Sequence, residues 1–306
     1  AKEDSSMALG TNANAYGASS TAIAINAQAV GANSLAAGVG AQAIGINSTA
    51  FAFQATANGD DAVALGVAAT ANGISAMAFG TDSLASGNKA TAIAAGSRAT
   101  GINAISIGVN SIANGSNAQS FGVGAEATGT NAVAIASNSK SSGDDAMAIG
   151  VKANATGTNT IAFGTNANAS GDGAMAFGSA ANASATDSMA IGVNAIASAS
   201  NTTAVGQSAR ATSANAMALG LFSEASGDVA VAIGMNAAAL SSDTLAAGAY
   251  ATAAKSNAIA IGTAANASAI NSMAIGTRAS AETRDAFAAG LEATASGANS
   301  MALGMK

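Results

Sequence analysis

The 306-residue sequence contains no proline, histidine, cysteine or tryptophan. Without cysteine there are no disulfides, so the redox compartment cannot be read from the thiols. Without histidine or cysteine, two of the commonest catalytic side chains and transition-metal ligands are absent. Aromatics are 3% and charged residues 8%, with a net charge of −6. That balance gives no footing for a nucleic-acid surface. It also argues against a disordered chain, which combines low hydrophobicity with high charge. No run of 18 large apolar residues occurs, so no transmembrane helix and no membrane contact by this segment are expected. No signal peptide is visible, and a chain beginning at Ala1 reads as a mature or excised segment.

Half of the residues are apolar, but most of these are alanine, too small to build an ordinary core. The pattern Ser272-Met273-Ala274-Ile275-Gly276 returns every fourteen residues, from Ser6–Gly10 to Ser300–Gly304. There are 22 copies without insertion or deletion, ending in glycine in 18 and in Ala24, Ala52, Ala94 and Ala136 in the others. An unbroken short period means a repeat architecture, here one continuous domain over 1–306 without visible caps.

With the recurrent Gly276 placed at position 14 of the repeat, the columns carry the information. Positions 3, 5, 10 and 12 accept only small residues, and position 12 is alanine in 20 copies. Position 13 is Ile, Leu, Phe or Val in all but three copies, and eight of the ten methionines fall at position 11. Positions 4 and 6 are mostly polar, and no charge occurs at positions 1, 3, 5 or 10 to 14. Alternation of period two over positions 3–6 and 10–13 predicts two short strands per repeat. Between them, position 7 is glycine in 14 of 21 copies and position 9 is Asn or Asp in 16 of 22. These predict corners, with glycine supplying positive φ and Asx side chains bonding the local backbone. The expected fold is an all-β parallel β-solenoid (β-roll) of about 22 fourteen-residue coils. At about 4.8 Å per coil it makes a rod on the order of 100 Å long. A helix is excluded because fourteen is not a multiple of 3.6 and glycine recurs throughout.

The small columns can meet only if the two strands lie close, which puts Ala and Ser inside and positions 11 and 13 outside. The opposite facing would leave position 12 in solvent with no reason to be alanine. The outward arrangement yields a stripe of about forty mostly apolar side chains, more than a soluble monomer tolerates. Burying each is worth roughly 1.5–3 kcal/mol, so a homo-oligomer is expected. Its axis would be lined by Met147, Ile149, Ile161, Phe163, Met175, Phe177, Met189, Ile191, Met217, Leu219, Ile259, Ile261, Met273 and Ile275. On this reading Ile149→Asp disrupts assembly, whereas Asn154→Asp on the polar face does not.

The unit Asn271-Ser272-Met273-Ala274-Ile275-Gly276-Thr277-Arg278-Ala279, with relatives such as Asn257–Gly262, closely resembles the head repeat of YadA-like trimeric autotransporter adhesins. That motif runs Asn-Ser-Val-Ala-Ile-Gly, two variable residues, then Ser; here Ala often replaces Ser. The resemblance covers the whole chain. It implies a left-handed β-roll, a homotrimer, display outside a bacterial cell and adhesion to host surfaces or matrix molecules. These 306 residues show no stalk, neck-like connector or anchor. Open strand edges at the ends also suit head-to-tail stacking, so a phage fibre or other extracellular filament without a receptor is the alternative.

Candidate chemistry is sparse. Asp60-Asp61 and Asp144-Asp145 share corner positions 8 and 9 and suit either a divalent cation or ordinary turns. The calcium nonapeptide pattern is missing, and no glycine-rich loop leads into a helix with lysine. Tyr16 and Tyr250 are unrepeated aromatics at turn or surface positions. Arg98, Arg210, Lys140, Glu126 and Glu224 all fall at position 4 and read as a solvated mixed-charge face. A water-ordering, ice-binding face would need a threonine ladder that position 4 does not supply. Neither an enzyme nor a cofactor or metal site is expected.

Overall fold

A computed structural model describes residues 5–305. The chain divides into two compact units, with the boundary in sequence between Lys152 and Ala153. The first holds eleven three-residue and ten two-residue strands, the second eleven of each, and no helix occurs among the described residues. Each unit is a parallel β-solenoid, and together they comprise about 21 full turns. Residues 1–4 and Lys306 of the expected 1–306 span lie outside the described residues.

One coil of the first unit shows the construction. Thr21–Ile23 is a strand. Ala27 N–H then donates to Ala24 O at 3.3 Å, closing a β-turn. Gln28–Ala29 is the second strand. Ser34 N–H donates to Gly31 O at 3.3 Å, closing a second turn before Leu35–Ala37 begins the next coil. Because positions 3 and 10 close turns, the strands are shorter than alternation alone suggests. They occupy positions 11–13 and 4–5.

Register is set by the period. Thr21, Ala22 and Ile23 pair with Leu35, Ala36 and Ala37, and Gln28 and Ala29 with Gln42 and Ala43. The second unit repeats this, with Ile259, Ala260 and Ile261 beside Met273, Ala274 and Ile275. Every side chain therefore stacks on its own column. A one-residue slip would turn every column over, which the buried alanines forbid.

The core is alanine. Ala22, Ala27, Ala29, Ala36 and their copies away from the terminal coils are fully buried, and the largest fully buried side chains are Thr160 and Thr202. The two strands of a coil are thus close enough for Cβ atoms to fill the space between them. Interior hydroxyls bond locally: Ser97 donates to Ala94 O at 2.8 Å and Thr160 to Gly157 O at 2.8 Å. Ser106 and Ser111 meet at 2.7 Å, while the buried hydroxyls of Ser20, Ser34 and Ser48 have no partner among the described residues.

Two kinds of glycine hold the corners. Position 14 has φ of +127° at Gly276, a region closed to most side chains, and Ala94 and Ala136 sit strained at 101° and 100°. Position 7 differs from the expectation of positive φ. Gly31 has an ordinary φ, but a Cβ there would lie 1.9 Å from Gly45 O of the next coil. At Gly31 close stacking of coils, not handedness, favours glycine, although other coils carry residues such as Ala185 or Lys255 at this position. The left-handed residues are at positions 2 and 9, as in Asn26 and Asn33, both with φ of 57°.

Candidate functional site

All fourteen residues expected on the outward stripe point away from the alanine core, and none is buried. Met147 in the first unit and Phe163, Ile191, Met217 and Ile261 in the second are exposed; the other nine are half-buried between their neighbours. The outward facing follows from the pleat: Ala148 and Ala162 point inward, so the residues on either side of each must point out.

In-phase pairing gathers these side chains into rows. Ile161, Met175 and Met189 lie on adjacent strands, as do Phe163, Phe177 and Ile191. The rings of Phe163 and Phe177 lie 6.3 Å apart at 32°, within the range of favourable aromatic pairs. Ile259 and Met273 pair in the same way, as do Ile261 and Ile275. Met217 and Leu219 stack on Val231 and Ile233, three coils before Ile259.

The stripe is wider than positions 11 and 13. Position 1, just past the corner glycine, adds exposed Ile25, Val39, Phe53, Val67, Val109, Val123 and Val151 in the first unit. In the second unit it adds Val193, Leu221, Met235 and Leu291. The signal is present in the sequence, since position 1 never carries charge. It lies in a corner rather than a strand, so alternation does not include it.

The polar groups serve as coil-to-coil links. Asp60 accepts from Ile46 N–H at 2.8 Å and Asp61 from the Asn47 amide at 3.0 Å. Asp144 and Asp145 repeat this with Thr130 N–H and the Asn131 amide. The Asp61 and Asp145 carboxylates end hydrogen-bond ladders, and no cluster of three or more metal-ligating side chains occurs among the described residues. At position 4, Lys140 pairs with Glu126 at 3.3 Å, while Arg98 and Arg210 are exposed. Asn154, Asn168 and Asn182 form a ladder with 2.8 Å steps. Tyr16 directly follows a short strand, Asn14–Ala15. Tyr250 occupies a position 2 corner, and so does Phe222, an aromatic that the repeat pattern does not single out.

The profile of the YadA head domain repeat, in two copies, matches residues 1–23, 29–51, 53–93, 99–118, 120–135, 141–167, 169–209, 211–237 and 253–306. Four of the breaks begin at Ala24, Ala52, Ala94 and Ala136, where the corner glycine is replaced. No curated protein matches the chain. Among solved structures, the chain is similar to the collagen-binding domain of the Yersinia adhesin YadA. The two are 26% identical over 53% of this chain and 81% of that one, with a TM-score of 0.33. With that profile matching most of its length, this chain belongs to the family of YadA head domain repeats.

Proposed function

We propose that the chain is the adhesive head of a trimeric autotransporter-type surface protein. Three copies run as continuous left-handed rolls over 1–306 about one axis, outside a bacterial cell. The observation that carries this is the stripe. Positions 11, 13 and 1 present long rows of Met, Ile, Leu, Val and Phe to the outside of the roll, whereas exposed large apolar residues at other positions, such as Val30, Ile74, Ile102 and Leu240, are fewer. Each residue gains roughly 1.5–3 kcal/mol on full burial, so covering the rows of three chains against one another offsets the entropy of association many times over. The fourteen stripe residues named above would line the axis. Positions 4 and 6, with their Asn ladders and mixed charges, would face outward toward matrix or host-surface molecules. The role is structural and adhesive.

The test is the solution mass of the purified chain by light scattering, followed by binding to immobilised matrix proteins. A discrete threefold mass that binds a matrix surface supports the proposal. A monomer, or open-ended fibres that bind nothing, rejects it, and fibres would favour a self-stacking filament.

A further inference from the structure

Position 2 of the coil is left-handed in every turn, and Asn is its commonest occupant. Among the several coils of the second unit with another residue there, two carry an aromatic, Phe222 at φ 56° and Tyr250 at φ 61°. A bulky residue in this region is an outlier, and strain of this kind gathers where a chain binds something. Both rings are exposed, at 50% and 55%. Between them in the same column stands Asn236, also left-handed at φ 53°. Its backbone N–H donates to Leu221 O at 2.8 Å, while its side-chain amide and the Tyr250 hydroxyl have no partner among the described residues.

The three residues sit on successive coils, joined by Asn236 N–H to Leu221 O and Tyr250 N–H to Met235 O, both at 2.8 Å. With coils about 4.8 Å apart, the two rings arise about 9.6 Å apart. The order is aromatic, amide, aromatic. Glu224, two residues beyond Phe222, and Arg210 one coil earlier leave the patch without a net charge of either sign.

We infer that Phe222, Asn236 and Tyr250 form a ladder that binds an extended, uncharged β-linked glycan, one sugar per coil. The apolar face of a pyranose stacks on each ring. The amide between them, with a carbonyl oxygen and two N–H donors, bonds the hydroxyls of the middle sugar. Every second sugar of such a chain presents the same face, as the two rings require. A charged glycan is disfavoured by the absence of a cationic cluster. A polyproline peptide has a similar repeat, but it docks in aromatic-lined grooves, and this corner is a convex turn between two strands.

Phe222→Asn and Tyr250→Asn place the column's commonest residue at each site, so both variants keep the fold and relieve strain. Calorimetric titration of the full chain with chitotetraose and with cellotetraose, and with a proline-rich decapeptide, tests the ladder. At least one oligosaccharide should bind saturably. Each variant should weaken it by about tenfold or more, on the order of 1.4 kcal/mol, while its unfolding midpoint rises and its assembly mass stays unchanged. The inference is overturned if neither oligosaccharide binds, if both variants bind as the parent does, or if the peptide binds in their place. A variant with altered assembly mass also overturns it, since the rings would then lie between copies. Because mass is read separately, failure here leaves the proposed assembly standing, and the reverse.

Discussion

Asn131 donates its side-chain amide to the carboxylate of Asp145 one coil on, at 2.8 Å. Asn103 and Asn117 lead up to it, each donating to the next at 3.1 and 3.0 Å. Asn33, Asn47 and Asp61 form a second such ladder, and Asn257, Asn271 and Asp285 a third. An amide both accepts and donates, so it can sit inside a ladder. A carboxylate only accepts, so it ends one. Asn117→Asp therefore still accepts from Asn103 but cannot donate to Asn131. Loss of one bond predicts a destabilisation of about 1 kcal/mol, measurable as a lower denaturant midpoint. An unchanged midpoint would show that the ladder contributes nothing.

Gly31 and Gly40 predict opposite responses to a side chain. At Gly31 a Cβ would collide with the carbonyl of Gly45, so Gly31→Ala forces adjacent coils apart. The expected cost is about 1–3 kcal/mol or more. Gly40 has φ of +70°, and a methyl group there would meet only the Gln54 side chain, at 3.6 Å. Gly40→Asn fits that conformation and reduces unfolded-state freedom, so it should be neutral to about 1 kcal/mol stabilising. Equal destabilisation by both would contradict the distinction between close approach and handedness.

Val229 is a β-branched residue held at φ 55°. It also interrupts the position 9 column between Asn215, which accepts from Asn201 at 3.4 Å, and Asp243. Val229→Asn relieves the strain and can join the ladder on both sides. We expect stabilisation of about 1–2 kcal/mol, read as a higher unfolding midpoint. A lower midpoint would mean that the exposed valine is held by a contact worth more than its strain.

Much of the fold is legible because the sequence repeats itself 22 times. A single copy of Ser272–Gly276 would be ambiguous, but the columns show that position 12 must be small and position 13 large, which decides facing and register together. Corners are harder. Glycine at position 7 suggests positive φ, yet Gly31 is needed for the approach of Gly45, a contact between coils that no local pattern carries. Asp60-Asp61 reads as turn residues, with a cation site as the lesser alternative, but the pattern does not show that Ile46 N–H and the Asn47 amide are bonded to them. Position 1 and Phe222 lie outside the strands, so alternation assigns them no face.

Assembly through the stripe is the central claim, and it is tested most directly by light scattering on the parent chain, on Ile149→Asp and on Thr156→Asp. Ile149 lies in the outward row, whereas Thr156 is exposed on the polar side. A charge buried without a partner is strongly destabilising to an interface. The parent and Thr156→Asp should show three times the chain mass of 28.5 kDa, and Ile149→Asp should fall to the mass of a single chain. A monomeric parent, or the same mass for all three proteins, would contradict assembly through this face.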